Sequence, residues 1–241
     1  MTARATVLLL PGHMCDERMW AGLDLATAGA RIAAPVLQGA TIDEMADLCL
    51  KAGSGPLLPV GFSMGGIVAL AIAARAPERL VGLGLLDTNP FADAPERAAQ
   101  RPRQQEKARA DGLSELVAEE LKPNYLARIN RGNARLRAGI QAMAEDLGPE
   151  VFVSQSEALR IRPSYNHVLE TLDFPVFVAC GAEDRLCTPA LHADFASRIE
   201  NAQLHVVEGA GHMLPMEQPH ILSKLLNPWL ASVLAREETK A

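Results

Sequence analysis

The chain has 241 residues, 49% of them apolar, and a formal net charge of −6. That length holds one sizeable α/β domain or two small ones. The acidic balance excludes a general attraction to nucleic acid or to an anionic membrane surface.

Aromatic residues are scarce, so a core must be assembled from Ala, Val, Leu and Ile. The four cysteines, Cys15, Cys49, Cys180 and Cys187, form no C-x-x-C pair and no zinc-ligand spacing, which predicts reduced, buried thiols. The first apolar run, Val7–Leu10, is too short for the apolar region of a secretory signal. No stretch approaches the roughly 18 apolar residues of a membrane helix. A cytoplasmic location is expected.

In chain order, the first strand is expected over Thr6–Leu10, ahead of Pro11-Gly12, and a weaker one over Ile32–Val36. A helix follows over Thr41–Ala52, with Thr41 as N-cap and Glu44 three residues on as a capping box. Leu57–Val60 is a strand run before Gly61. Gly65–Ala76 is an Ala/Ile/Leu helix that Pro77 ends, because proline disfavours a helical residue before it. Leu80–Leu86 is a strand run before Asp87. Late in the chain come strand Pro175–Ala179, helix Leu191–Ile199, strand Gln203–Val207 and helix His220–Ala235. The strand runs lack period-two alternation, as expected of strands buried on both faces. Alternating strands and helices predict a mostly parallel, doubly wound sheet of about six strands.

Thr88–Glu170 interrupts the alternation. Its one strand-like run is Val151–Val153, and Pro95, Pro102, Pro123, Pro149 and Pro163 punctuate an Ala-, Glu-, Gln- and Arg-rich composition. Several inserted helices are expected there. The division is then a core of residues 1–87 and 171–241 and an inserted helical domain of residues 88–170.

Gly61-Phe62-Ser63-Met64-Gly65-Gly66 is a G-x-S-x-G sequence between a buried strand and a helix, the context a nucleophilic serine requires. Side chains at Gly61 or Gly65 would collide with strand and helix. The alternative is a glycine-rich turn with Ser63 as a helix cap. No Lys-Ser/Thr follows and no G-x-G-x-x-G is present, so a phosphate loop is not indicated.

A serine nucleophile needs a base. His212, in Gly209-Ala210-Gly211-His212-Met213, follows the last strand and can reach the same sheet edge; His13 is also near that edge. His167, His192, His205 and His220 are expected to pack or face solvent. The histidine needs a carboxylate. Asp184 follows strand Pro175–Ala179, giving the chain order Ser63, Asp184, His212; Asp87 is the competing acid. For the oxyanion, Met64 offers one backbone N–H, and His13 the second, with Met14 as the alternative second donor.

LLLPGHM, VGFSMGG, VACGAEDRLCTP and VVEGAGHMLPMEQP together resemble the α/β-hydrolase superfamily over essentially the whole chain, specifically its small capped esterase, enol-lactonase and C–C hydrolase group. The resemblance implies that LLLPGHM is the oxyanion loop, with Pro11 where the family usually has histidine. It also implies a sheet lacking the family's first two strands, and a helical cap at 88–170. It implies a cofactor-free, metal-free serine hydrolase of small esters or lactones. A C–C hydrolase or perhydrolase with the same triad, or a non-catalytic binding protein on the fold, are the alternatives. The partner expected is a small molecule.

Two substrate features follow as expectations. Leu113, Leu116, Val117, Leu121, Tyr125, Met143 and Phe152 either line a pocket or form the inserted segment's own core. Lys122, Arg128, Arg131, Arg135 and Arg137 form a basic run without an acid. It is either a solvated face or holds an arginine that binds a substrate carboxylate.

Overall fold

A computed structural model describes residues 4–27, 30–51, 55–121 and 125–239. Six parallel strands form one sheet in the order β2-β1-β3-β4-β5-β6. They are β1 Thr6–Leu10, β2 Arg31–Ala33, β3 Leu57–Phe62, β4 Leu83–Leu86, β5 Val176–Gly181 and β6 Ala202–Val207. The strand order reverses between β1 and β3, and a doubly wound sheet opens a crevice at the carboxyl ends of its strands at that point.

The apolar runs are continuous because each strand feeds two cores. Leu8, Leu10, Leu83, Leu85, Val176 and Val178 point to one face and pack against α1 (Ile42–Lys51), α2 (Met64–Arg75) and α5 (Pro189–Ala196). Val7, Leu9, Val60, Phe62, Phe177 and Ala179 point to the other face. There they meet Trp20 and Leu222, Leu226, Trp229 and Leu230 of α7 (Pro219–Glu238), behind the short α6 (Leu214–Glu217). Each fully buried Leu, Val or Phe of this kind stabilises the fold by about 1.5–3 kcal/mol. Helix α2 is apolar nearly all round because sheet and neighbouring helices enclose it.

The expected capping box is realised with one adjustment. Thr41 Oγ1 accepts from Glu44 N–H at 3.1 Å, but Glu44 Oε2 reaches back to Ala40 N–H, at 2.8 Å, rather than to Thr41. Ala52 and Pro123 lie outside the described residues.

Between β4 and β5 the chain is helical. Helix α3 spans Pro95–Asp111, a π-helical turn Leu116–Leu121, and α4 Ala134–Ile161. Val151–Val153 is therefore not a strand. Gly148, at φ 82°, breaks α4, and Pro149 restarts it, so the three residues continue a helix. Leu113, Leu116, Val117, Ala144, Phe152 and Val153 form a small core that takes in Met14 from the loop after β1. Among the described residues, no helix is long and apolar enough to cross a membrane. The four cysteines are buried and unbridged, and burial pushes Cys15, Cys49 and Cys180 up to about 12, which keeps them as unreactive thiols.

Candidate active site

The chain leaves β3 through Ser63, which has φ 52° and ψ −114°, and enters α2 at Met64. A non-glycine residue in that conformation is strained. The turn survives because its flanks are bare. A Cβ on Gly61 would sit 2.2 Å from Gly65 O, and one on Gly65 2.0 Å from Leu10 O. Ser63 N–H donates to Leu86 O at 2.8 Å, and Thr88 Oγ1 donates to Ser63 O at 2.7 Å. The turn is thus bonded to β4 and to Thr88, two residues beyond it.

His212 Nε2 stands 3.0 Å from Ser63 Oγ, and His212 Nδ1 stands 2.8 Å from Asp184 Oδ2. His212 and Asp184 are buried. Asp184 Oδ1 accepts from Leu186 and Cys187 N–H at 2.8 and 3.0 Å. Burial opposes ionisation of Asp184, but His212 and those two N–H groups outweigh it and hold the carboxyl below its ordinary value. The structure therefore brings together the three side chains expected from the sequence. Proton transfer from hydroxyl to imidazole, with the carboxylate fixing the tautomer, is what this line of groups can do.

Among the described residues, Asp87, the competing acid, makes no hydrogen bond with His212. Its Oδ1 accepts from Gly181 N–H at 2.9 Å. Burial first, then the negative charge of Asp184, hold its carboxyl well above the usual carboxylate range. Its backbone is also in the left-handed region, at φ 45°.

In the loop after β1, Met14 N–H donates to Gln155 Oε1 at 2.8 Å. The alternative second oxyanion donor is thereby occupied. The N–H groups of His13 and Met64 have no hydrogen-bond partner among the described residues, and both residues line the same cavity as Ser63. The His13 ring is driven to about 3 by burial, with Arg101 adding to the effect, so it is neutral and no rival base. It packs on Phe152 at 5.0 Å.

Several contributors were not apparent from sequence. Glu217, on α6, accepts from Gly211 N–H and Ala127 N–H, both at 2.8 Å, and from Asn130 Nδ2 at 2.9 Å. Tyr125 O accepts from His212 N–H at 2.7 Å. These bonds clamp the histidine loop to the inserted segment. His192 is buried and accepts from Thr88 N–H at 3.1 Å, a packing role as expected; His205 lies on Phe177, and His167 and His220 are exposed. Only the Met-Glu-Gln-Pro context after His212 hinted at Glu217.

The cavity over Ser63 measures about 290 Å³ and is lined by both inserted and sheet residues. Of the seven apolar residues considered for its wall, Val117 and Tyr125 line it. Leu113, Leu116 and Phe152 belong to the inserted segment's core, and Met143 to the core beneath α7. The Leu121 side chain lies outside the described residues. Among the described residues, one group has metal-ligand spacing: Asp184, Cys187 and His212, with ligand atoms within 4.8 Å of one another. Its carboxylate and imidazole are already bonded to each other, and its thiol is held protonated by burial.

A doubly wound parallel sheet with a serine on the strand–helix turn at its switch point defines the hydrolase architecture. The chain belongs to the alpha/beta hydrolase family, whose model matches residues 4–225. It is 31% identical to a thermophilic esterase from Thermogutta terrifontis solved with malate bound, covering 96% of this chain and 91% of that one, TM-score 0.86. An enol-lactonase from Burkholderia xenovorans LB400 shares the fold at 22% identity, 95% and 92% coverage and TM-score 0.79. A pimeloyl-[acyl-carrier protein] methyl ester esterase from Aromatoleum aromaticum is 27% identical over 92% of this chain and 97% of its own length. A 2-succinyl-6-hydroxy-2,4-cyclohexadiene-1-carboxylate synthase from Salmonella typhimurium is 28% identical over 66% of this chain and 62% of its own. The match to a Bacillus subtilis relative likewise spans less than two thirds of that protein, 65%.

Proposed function

We propose that the protein is a serine hydrolase of small carboxylic esters or lactones that works through an acyl-enzyme. The observation that carries this is the unbroken line Ser63 Oγ–His212 Nε2, His212 Nδ1–Asp184 Oδ2, at 3.0 and 2.8 Å, with Ser63 and His212 lining a small cavity. Esterases among the relatives support it.

Ser63 Oγ attacks the carbonyl carbon as its proton passes to His212 Nε2. The tetrahedral oxyanion is met by the N–H groups of His13 and Met64, each worth about 3 kcal/mol in the transition state. Asp184 stabilises the imidazolium. His212 gives its proton to the leaving alcohol, leaving an ester on Ser63. Water then enters, loses a proton to His212 and attacks that ester, and collapse returns the proton to Ser63. Residues 88–170 act as a cap that closes the cavity above the reacting carbonyl.

Fluorophosphonate labelling with mass spectrometry tests the reading, alongside p-nitrophenyl acetate and butyrate turnover. The expected result is an adduct on Ser63, and turnover lost in Ser63→Ala and His212→Ala. An unlabelled Ser63 in folded protein, with no turnover, would mean a binding protein on this fold.

A further inference from the structure

Helix α3 turns an unusual face towards the cavity. Arg97, Gln100, Arg101 and Gln104, at i, i+3, i+4 and i+7, all line it. That is the spacing at which a helix over a core ordinarily presents apolar side chains. Arg162, just past α4, and Asn89, after β4, line the same wall.

The charges there do not cancel. Arg101 Nε lies 2.6 Å from Asp93 Oδ2, and Arg162 Nη1 lies 3.0 Å from Asp93 Oδ1. These side chains are nearly inaccessible, at 10%, 3% and 1% for Arg101, Arg162 and Asp93. Two guanidiniums thus share one carboxylate. Arg97 adds a third cation that is partly buried and makes no ion pair with a described residue. The other nearby acid on α4, Glu157, is taken by Arg160 at 2.5 Å. A partly desolvated, unmatched cation is costly unless an anion meets it.

Resting on the serine-hydrolase reading, we propose that the cavity selects esters bearing a second, free carboxylate. The class is half-esters of short dicarboxylic acids, with the carboxylate on Arg97 and the Arg101–Asp93–Arg162 cluster holding the wall behind it. Of the two readings of the basic run, a solvated face or a source of such an arginine, its described arginines fit the first. Arg128, Arg131, Arg135 and Arg137 are exposed and none lines the cavity, and Lys122 lies outside the described residues. A guanidinium suits this task because its planar fork meets both carboxylate oxygens at once. Arg101 and Arg162 are poor test positions, since removing either leaves Asp93 short of a buried partner.

The experiment compares monomethyl glutarate with methyl butyrate by proton release. The wild type is expected to favour the half-ester by about tenfold or more in kcat/KM, the order of one charge-assisted bidentate contact. Arg97→Ala should collapse that ratio towards one, Arg97→Lys should restore part of it, and Arg135→Ala should leave it at the wild-type value. Equal rates on both esters in the wild type, or a ratio that survives Arg97→Ala, would overturn the proposal. Calorimetric titration of Ser63→Ala with the two esters separates the subsite from the chemistry. Tighter binding of the half-ester, lost in Ser63→Ala/Arg97→Ala, upholds the subsite even if the wild type turns over neither. Equal or no binding of both esters refutes it even if Ser63 labels.

Discussion

Gln155 and Met14, far apart in the chain, meet in one hydrogen bond: Met14 N–H donates to Gln155 Oε1 at 2.8 Å. Gln155 Nε2 in turn donates to Leu37 O at 2.7 Å, and the amide is fully buried. One side chain on α4 thus fixes the loop after β1 in the left-handed conformation that Met14 adopts, at φ 56°. In the proposed mechanism the same loop presents the His13 N–H.

Gln155→Leu should therefore cost both stability and rate. It strands a buried N–H and a buried C=O, each worth about 1–3 kcal/mol. Loss of alignment of the His13 donor should lower kcat by up to about a hundredfold, the lower end for losing one oxyanion contact. Urea melts and steady-state kinetics on p-nitrophenyl butyrate read the two effects. A raised KM with kcat intact would detach this loop from transition-state stabilisation.

The two acids separate cleanly by substitution. Asp184→Asn removes the acceptor that fixes the His212 tautomer, and kcat should fall about 10³–10⁴-fold, as in triads of this type. Asp87→Asn keeps an acceptor for Gly181 N–H and removes no hydrogen bond to His212 or Ser63, so its kcat should stay within about tenfold of wild type. The reverse pattern would make Asp87 the orienting acid.

Asp87 also leaves a signature in stability. Its native carboxyl stays protonated well above the ordinary range because it is buried beside the Asp184 charge. The unfolded chain ionises it near pH 4, so above that pH the native state binds the extra proton. Its contribution is complete below about pH 4 and is lost as pH rises towards the native pKa. Asp87→Asn has no such loss, and should gain on the wild type by about 1.4 kcal/mol per pH unit until the native carboxyl ionises. Urea midpoints of both proteins across roughly pH 5 to 7 give the slope. A flat difference would mean that native Asp87 is ionised throughout.

How much of this was readable follows from how local each signal is. Ser63 and its flanking glycines are one turn, so the motif reads within six residues, although the carbonyl that Gly65 must clear is Leu10 O on β1. The strands showed because burial on both faces leaves an apolar run, although β4 began three residues later than its run and β5 and β3 ran on two residues past theirs. Val151–Val153 misled because a β-branched pair around Phe152 looks the same whether it packs in a sheet or on a helix. The break that decided the matter was Gly148-Pro149. Gln155 reaches Met14 and Leu37, and Glu217 reaches Ala127 and Asn130, across long separations in sequence, so only the closing of the inserted segment on the sheet edge gives them those partners. Arg97 comes to the cavity wall in the same way.

The last prediction sets two glycines against each other. At Gly139, within α4, an added Cβ meets nothing closer than Met216 Cε at 3.4 Å, an ordinary contact. Alanine there reduces the freedom of the unfolded chain without strain, and Gly139→Ala should raise stability by about 0.5–1 kcal/mol. For a chain of this size that is a rise in Tm of roughly 1–4 °C. At Gly65 the same methyl would lie 2.0 Å from Leu10 O, and the obstacle is backbone of β1, a strand paired on both sides. Neither a rotamer change nor a small shift relieves that contact, because Leu10 is also paired in register with Gly61 of β3. Gly65→Ala should therefore displace the turn that carries Ser63, with phosphonate labelling lost before global unfolding is seen by circular dichroism. Normal labelling of Gly65→Ala would show that the elbow has slack between α2 and β1 that these distances do not allow.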